Sequence, residues 1–238
     1  MAIGTIRPSG LGIELQQLPT VLFRGVSHPI PLVLKRQPQP NEEALPVKLS
    51  LDSTEPVRKR DPNNPAAGNF PLVAAAPQMV MPDQPEQATV RIVVPLESAE
   101  PVIDFVVKAE ATPHAYSDRV LASAFSQPFR AEIKTAVAPK IDDATLAIVG
   151  EADHKITGLL QRTPGFTEPV EVTLTGLPAG YTVQPAVVAG DQDKFEFVVK
   201  APKVAAETPV ANVKLRVTSS GSLLTAEMPV NVKVVAAK

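Results

Sequence analysis

An all-β chain built as two tandem β-sandwiches is what this sequence predicts, and three observations lead there. Prolines number 26 in 238 residues, about twice the usual ~5%. An interior proline removes a helical hydrogen bond and clashes with the preceding turn, so long helices are excluded, whereas turns and edge strands accept it. Apolar residues recur at every second position in short blocks, as in Val170-Glu171-Val172-Thr173-Leu174, which places them on one face of a pleated strand. Five such blocks also occur twice, in the same order.

The repeat begins with Leu34, Arg36 and Pro38, matched by Leu160, Arg162 and Pro164. Pro46-Val47-Lys48-Leu49-Ser50-Leu51 then matches Pro169 to Leu174, and Val90 to Val94 matches Phe195 to Val199. Pro101-Val102 precedes Phe105, Val107 and Ala109 as Pro209-Val210 precedes Val213, Leu215 and Val217. Pro128 to Ile133 finally matches Pro229 to Val234. Small changes of spacing inside a fixed order mark a duplicated unit.

Strands follow in order. The second copy reads as Leu146–Val149, Lys155–Gln161, Val170–Thr175, Thr182–Val188, Lys194–Ala201, Ala211–Thr218 and Leu224–Val235. Leu177-Pro178-Ala179-Gly180, Ala189-Gly190-Asp191 and Ser219-Ser220-Gly221 supply turns between them. About seven strands in about 100 residues is the size of an immunoglobulin-like sandwich. The first copy, opening at Ile13 and Leu15, gives a similar tally. The expected division is a sandwich over residues 1–137, a linker over 138–143 and a sandwich over 144–238. A single large barrel with duplicated strand motifs is the competing architecture.

In the second copy, Arg162-Thr163-Pro164-Gly165-Phe166-Thr167-Glu168-Pro169-Val170 is followed by Gly176-Leu177-Pro178-Ala179-Gly180-Tyr181. This resembles bacterial Ig-like modules, namely those associated with α-galactosidases and the repeats of planctomycete-type envelope proteins. The first copy lacks the Leu-Pro-Ala-Gly turn and has Gln39-Pro40-Asn41 in place of Gly-Phe. The resemblance implies a non-catalytic spacer or accessory module of a larger exported protein, at the cell surface, in the periplasm or secreted. It brings no catalytic residue with it.

Composition narrows the chemistry. With no cysteine, disulfides and thiolate sites are excluded. A net charge of −2 provides no field toward nucleic acid or anionic lipid. No apolar run approaches the ~20 residues that span a bilayer, and the first twelve residues lack the apolar stretch of a signal peptide. His28, His114 and His154 show no metal-binding spacing, and neither a Gly-x-Ser-x-Gly elbow nor a Gly-rich phosphate loop occurs. The chain is therefore read as no enzyme, with no cofactor.

Candidate binding residues come from two loops. Some 27 residues separate Leu51 from Met79 where 11 separate Leu174 from Ala186, so a long insertion near 53–78 marks the first copy. Its Arg58, Lys59 and Arg60, with Phe70 further on, are suited to gripping an anionic partner or glycan. His114 and Tyr116 lie in the last hairpin turn of the first copy, where a ring offers a flat apolar face with a polar edge. Asp142 and Asp143 at the expected hinge, and Asp191 and Asp193 in a turn, are the carboxylates a calcium ion would need, although turn carboxylates commonly bond to nearby backbone instead. The leading expectation is a spacer or docking module for an unidentified protein or envelope glycan. The alternatives are an accessory carbohydrate-binding pair attached to a hydrolase, for which a chain without Trp is poorly equipped, and a periplasmic two-domain chaperone.

Overall fold

A computed structural model describes residues 10–36, 44–55, 57–59, 69–71, 77–143, 145–203, 208–219 and 223–235. The regular elements among them are all strands. The chain divides into two compact units, Met1–Leu22 with Ser27–Ile133, and Phe23–Val26 with Lys134–Lys238.

In the first unit, β1 (Leu11–Leu15), β3 (Ser27–Arg36) and β8 (Gln87–Val93) form one sheet. The other orders β2 (Val21–Arg24), β11 (Phe129–Thr135), β9 (Val102–Ala111), β4 (Val47–Ser53) and β7 (Gln78–Val80), with β10 (Ala122–Phe125) also paired to β9. Alternation decides which face is buried. Ile30, Leu32 and Leu34 of β3 point into one apolar cluster with Val90 and Ile92 of β8, Val47, Leu49 and Leu51 of β4, and Ile103, Phe105, Val107 and Ala109 of β9. Both sheets thus contribute to a single core, with the Phe105 and Phe129 rings stacked at 5.3 Å. On the outer face, Arg130 grips Asp104 across the β9–β11 pair with bonds of 2.7 and 3.0 Å. Those hydrogen bonds hold the Asp104 carboxyl below the usual carboxylate range. A lowered folded pKa stabilises above the unfolded value of about 3.9 and is lost as pH falls through the folded one. Asp104 carboxyl resonances followed by NMR are expected to titrate below that value, and Arg130→Gln to return them to it.

The insertion is not a plain loop. β5 (Val57–Lys59) and β6 (Asn69–Pro71) pair antiparallel as a separate two-stranded ribbon, with Arg58 opposite Phe70.

The second unit has β12 (Val137–Ile141), β14 (Asp153–Arg162), β18 (Lys194–Lys200) and β16 (Thr182–Gln184) in one sheet. A second holds β17 (Ala186–Val188), β15 (Val170–Thr175), β20 (Lys214–Ser219) and β21 (Leu223–Pro229). The third contains β13 (Thr145–Val149), β22 (Asn231–Val235) and β19 (Thr208–Val210). Two expected strands are each split by proline. Thr182–Val188 breaks at Pro185, so that its halves join β18 and β15, and Leu224–Val235 breaks after Pro229. Proline has no N–H to continue a ladder, and the chain changes sheets where the ladder stops. The expected linker over 138–143 is also mostly strand, since β12 pairs with β14 from Val137 opposite Arg162 to Ile141 opposite Gly158.

The repeat seen in the sequence reappears as register. Leu51 stands opposite Val107 and Leu49 opposite Ala109, just as Leu174 stands opposite Leu215 and Val172 opposite Val217. In the β3–β8 pair Ile30 faces Val90, whereas in β14–β18 Ile156 faces Phe197, two residues beyond the sequence match. An even step keeps every side chain on its face. At Gly158 a Cβ would lie 2.4 Å from Phe195 Cζ and 2.3 Å from the Lys140 carbonyl oxygen, so the ring packs where only glycine leaves room.

Candidate interaction surface

The ten residues from 112 to 121 join β9 to β10, and the loop is tied by its own bonds. The Thr112 hydroxyl donates to the His114 carbonyl at 3.0 Å, and the Ser117 N–H donates to the same oxygen at 3.1 Å. The Arg119 N–H donates to Ser117 Oγ at 3.1 Å, and the Leu121 N–H closes the hairpin onto the Ala111 carbonyl at 2.9 Å. His114 is exposed, and Tyr116 at the tip is 94% exposed. Val120 and Leu121 follow, both exposed, and Phe125 on β10 is 58% exposed. Along Ala122–Phe125 the two alanines turn inward while Ser123 and Phe125 turn outward. Lys108 lies 6.0 Å from the Phe125 ring centroid. Its hydrogen bond to Glu110 raises the ammonium pKa and keeps the charge beside that ring. The sequence reading found His114 and Tyr116 but missed Val120, Leu121 and Phe125. The available signal was a phenylalanine on the polar phase of an alternating strand.

Of the other candidates, Arg58 in β5 stands opposite Phe70 in β6, with Lys59 beside Arg58 on the same strand. Arg60 falls outside the described residues. Asp142 accepts the Thr157 hydroxyl at 2.7 Å beside a shallow groove of about 470 Å³ lined by Gly158, Leu159, Lys194 and Glu196. Asp143 borders a different groove, with Lys140 and Pro229. Asp191 and Asp193 are exposed, and Asp193 lies 3.8 Å from Arg162 Nε. Among the described residues no three His, Asp or Glu side chains gather as a cation would need. Glu55 is buried and accepts the Ser98 hydroxyl, while its Oε2 has no hydrogen-bond partner among the described residues.

No family model and no curated protein matches the chain. Among solved structures, a mutant of Salmonella alpha-2-macroglobulin aligns over 98% of this chain at 8% identity, with a TM-score of 0.36. The D00-D0 domain of intimin aligns over 96% at 11% identity with a TM-score of 0.27, and the alignment covers 100% of that chain. The chain spans 17% of the alpha-2-macroglobulin's length.

Arg162 organises the second unit. Its side chain is 8% exposed and donates to the carbonyls of Gln192 at 3.1 Å, Glu168 at 2.8 Å and Ala189 at 2.9 Å. Its guanidinium lies 5.5 Å from the Phe166 ring, which meets Phe23 edge-on at 5.4 Å. The arginine of the sequence motif thus works as a staple for the loops 163–169 and 189–193.

Proposed function

We propose that the chain is a tandem pair of immunoglobulin-like sandwiches serving as a non-catalytic docking and spacer module of a larger exported protein, with the β9–β10 hairpin as the docking surface. The exposure of Tyr116 on a loop held by its own hydrogen bonds carries this reading. A ring carried on a pre-formed loop spares the cost of ordering that backbone on binding, and Val120, Leu121 and Phe125 add exposed apolar surface of the kind that marks interaction sites. The recurring strand register supports the tandem reading. The resemblance of the Arg162 to Tyr181 segment to exported Ig-like modules supports the cellular setting.

The test is capture from an envelope fraction on the immobilised chain, beside Tyr116→Ser and Phe125→Ser. A central tyrosine removed from an interface costs about 2 kcal/mol, roughly 30-fold in affinity. Both variants are expected to lose a retained protein while their urea midpoints stay at the parent value. Retention unchanged in both variants moves the docking surface elsewhere. A retained polysaccharide in place of a protein makes the pair a carbohydrate-binding accessory.

A further inference from the structure

The duplication aligns the turns as well as the strands. Leu11 stands opposite Arg36 as Val137 stands opposite Arg162, and counting back from those arginines matches the turn Phe23–Val26 with Val149–Ala152. Gly25 and Glu151 therefore hold the same place in the two copies, and both have a left-handed backbone, with φ 68° and 63°. His28 and His154 each follow three residues later. A residue other than glycine at positive φ is uncommon, and such strain persists where the surroundings fix it and a site uses it. Around Glu151 the fixing bonds are the Gly150 N–H to the Val235 carbonyl and the Val149 N–H to His154 Nε2, both at 2.9 Å. Glu151 itself is exposed.

The first of these turns shows what such a turn covers. Phe23–Val26 belongs to the second unit, where the Gly25 carbonyl accepts the hydroxyls of Ser219 and Thr225 on the β20–β21 hairpin. Thr225 is fully buried there. The counterpart in the first unit is the β9–β10 hairpin, since Ala124 stands opposite Ala109 as Ala226 stands opposite Val217. Ser123 precedes Ala124 as Thr225 precedes Ala226, yet Ser123 is exposed, together with Leu121 and Tyr116. The same hairpin is covered by a turn in one unit and bare in the other.

From this correspondence we infer that the β9–β10 hairpin takes the Val149–Ala152 turn of a second copy of this chain, so that copies associate head to tail. The inference rests on the docking reading above and names the partner of that surface. Ser123 donates its hydroxyl to the Glu151 carbonyl, as Thr225 does to that of Gly25. The Glu151 carboxylate meets Arg119, an exposed cation whose backbone is tied to Ser117 Oγ, while Asp153 beside the turn lies 3.6 Å from Lys200. A side chain is tolerated at 151 because the two hairpins differ at one point. β21 shifts register between Val217 and Thr218, and the Leu224 carbonyl lies where a Cβ on residue 25 would stand. β10 keeps one register from Ala122 to Phe125. The Ser126 N–H bond to the Val107 carbonyl sets its phase, and alternation then turns the Ala122 carbonyl toward β9. The obstacle that restricts position 25 to glycine is not repeated. Because the contact joins two different surfaces, each added copy brings a free turn or a free hairpin for the next.

Sedimentation velocity of the full chain over rising concentration is the test, and its first arm needs no variant. The parent is expected to associate, and to do so less at high salt, where an exposed ion pair is screened. Glu151→Arg and Arg119→Glu are each expected to weaken association about tenfold, because like charges then face each other across the contact. Mixed in equal amounts, those two chains are expected to recover the parent's association, since every contact in an alternating order again joins opposite charges. Urea midpoints at the parent value show that both variants are folded. A parent that stays monomeric overturns the inference. So does association that neither reversal weakens, or that the mixture fails to restore. Capture from the envelope fraction separates this inference from the docking reading. A monomeric parent whose retained protein is lost with Tyr116→Ser excludes the second copy and leaves the docking surface in place. A monomeric parent that retains nothing removes both.

Discussion

Replacing Gly25 with alanine in the full chain is expected to destabilise the second unit by about 4 kcal/mol, and valine to do little more harm than alanine. Gly25 has φ 68°, a conformation that costs an ordinary residue about 1–2 kcal/mol. A Cβ there would lie 2.1 Å from the Leu224 carbonyl oxygen and 2.5 Å from Thr225 Cα. Both obstacles are backbone, so no side chain can swing away, and overpacking of this kind costs about 1–3 kcal/mol. The Gly25 carbonyl also accepts the buried hydroxyls of Ser219 at 2.9 Å and Thr225 at 3.0 Å. A shift that strands them loses about 1 kcal/mol for each. The first Cβ already causes the collision, which is why alanine and valine are expected to behave alike. Thr225→Val is expected to cost only about 1 kcal/mol, because the single hydroxyl proton that goes is shared between the Gly25 and Leu223 carbonyls and the Gly25 carbonyl keeps Ser219. Urea unfolding followed by Tyr181 fluorescence checks this in a Tyr116→Phe background, where Tyr181 is the remaining tyrosine. A midpoint unmoved by Gly25→Ala would show that Phe23–Val26 does not pack in the second unit.

That segment also marks the limit of what the sequence makes legible. Blocks that alternate strictly, such as Val47 to Leu51 or Phe195 to Val199, declare their buried face and their place in the repeat. Their pairing followed, with Leu51 against Val107 and Leu174 against Leu215. Val21-Leu22-Phe23 has no such period. Leu22 and Phe23 are adjacent, and both are buried. Alternation gives such a pair opposite faces, and the sequence carries no sign that Phe23 belongs with Phe166, more than a hundred residues away. The β5–β6 ribbon was hidden for a related reason, since three-residue strands are too short to show a period. Among the candidate binding residues, Tyr116 was found because a tyrosine between turn residues has no core to enter. Phe125 was missed because an exposed phenylalanine looks like a core residue until its phase against Ala122 and Ala124 is counted. The acidic pairs were legible only as turns: Asp142 holds Thr157, and the Asp193 carbonyl accepts the Leu160 N–H at 2.6 Å.

Arg162→Ala is expected to lower stability by about 3–4 kcal/mol, since the staple can be removed only by stranding its acceptors. The carbonyls of Gln192, Glu168 and Ala189 would each lose a charged donor, and such bonds are worth about 1.5–3 kcal/mol apiece before neighbouring water compensates. Lysine is expected to recover less than half of the loss. One ammonium cannot reach carbonyls spread around a planar guanidinium, nor lie flat against the Phe166 ring. Asp193→Asn separates this role from that of the ion pair. The pair is 3.8 Å long with a carboxylate 67% exposed, so its loss is expected to cost less than about 1 kcal/mol. Arg36, at the matching place in the first unit, donates to the Met81 carbonyl at 3.0 Å, and its Nε and Nη2 have no hydrogen-bond partner among the described residues. Arg36→Ala is accordingly expected to cost about 1 kcal/mol. Denaturant midpoints for the four variants measure the difference directly. Equal losses at Arg36 and Arg162 would mean that the arginine serves the strand end common to both copies. The expected inequality means that duplication supplied the residue twice, and that the loops around Arg162 made it a staple.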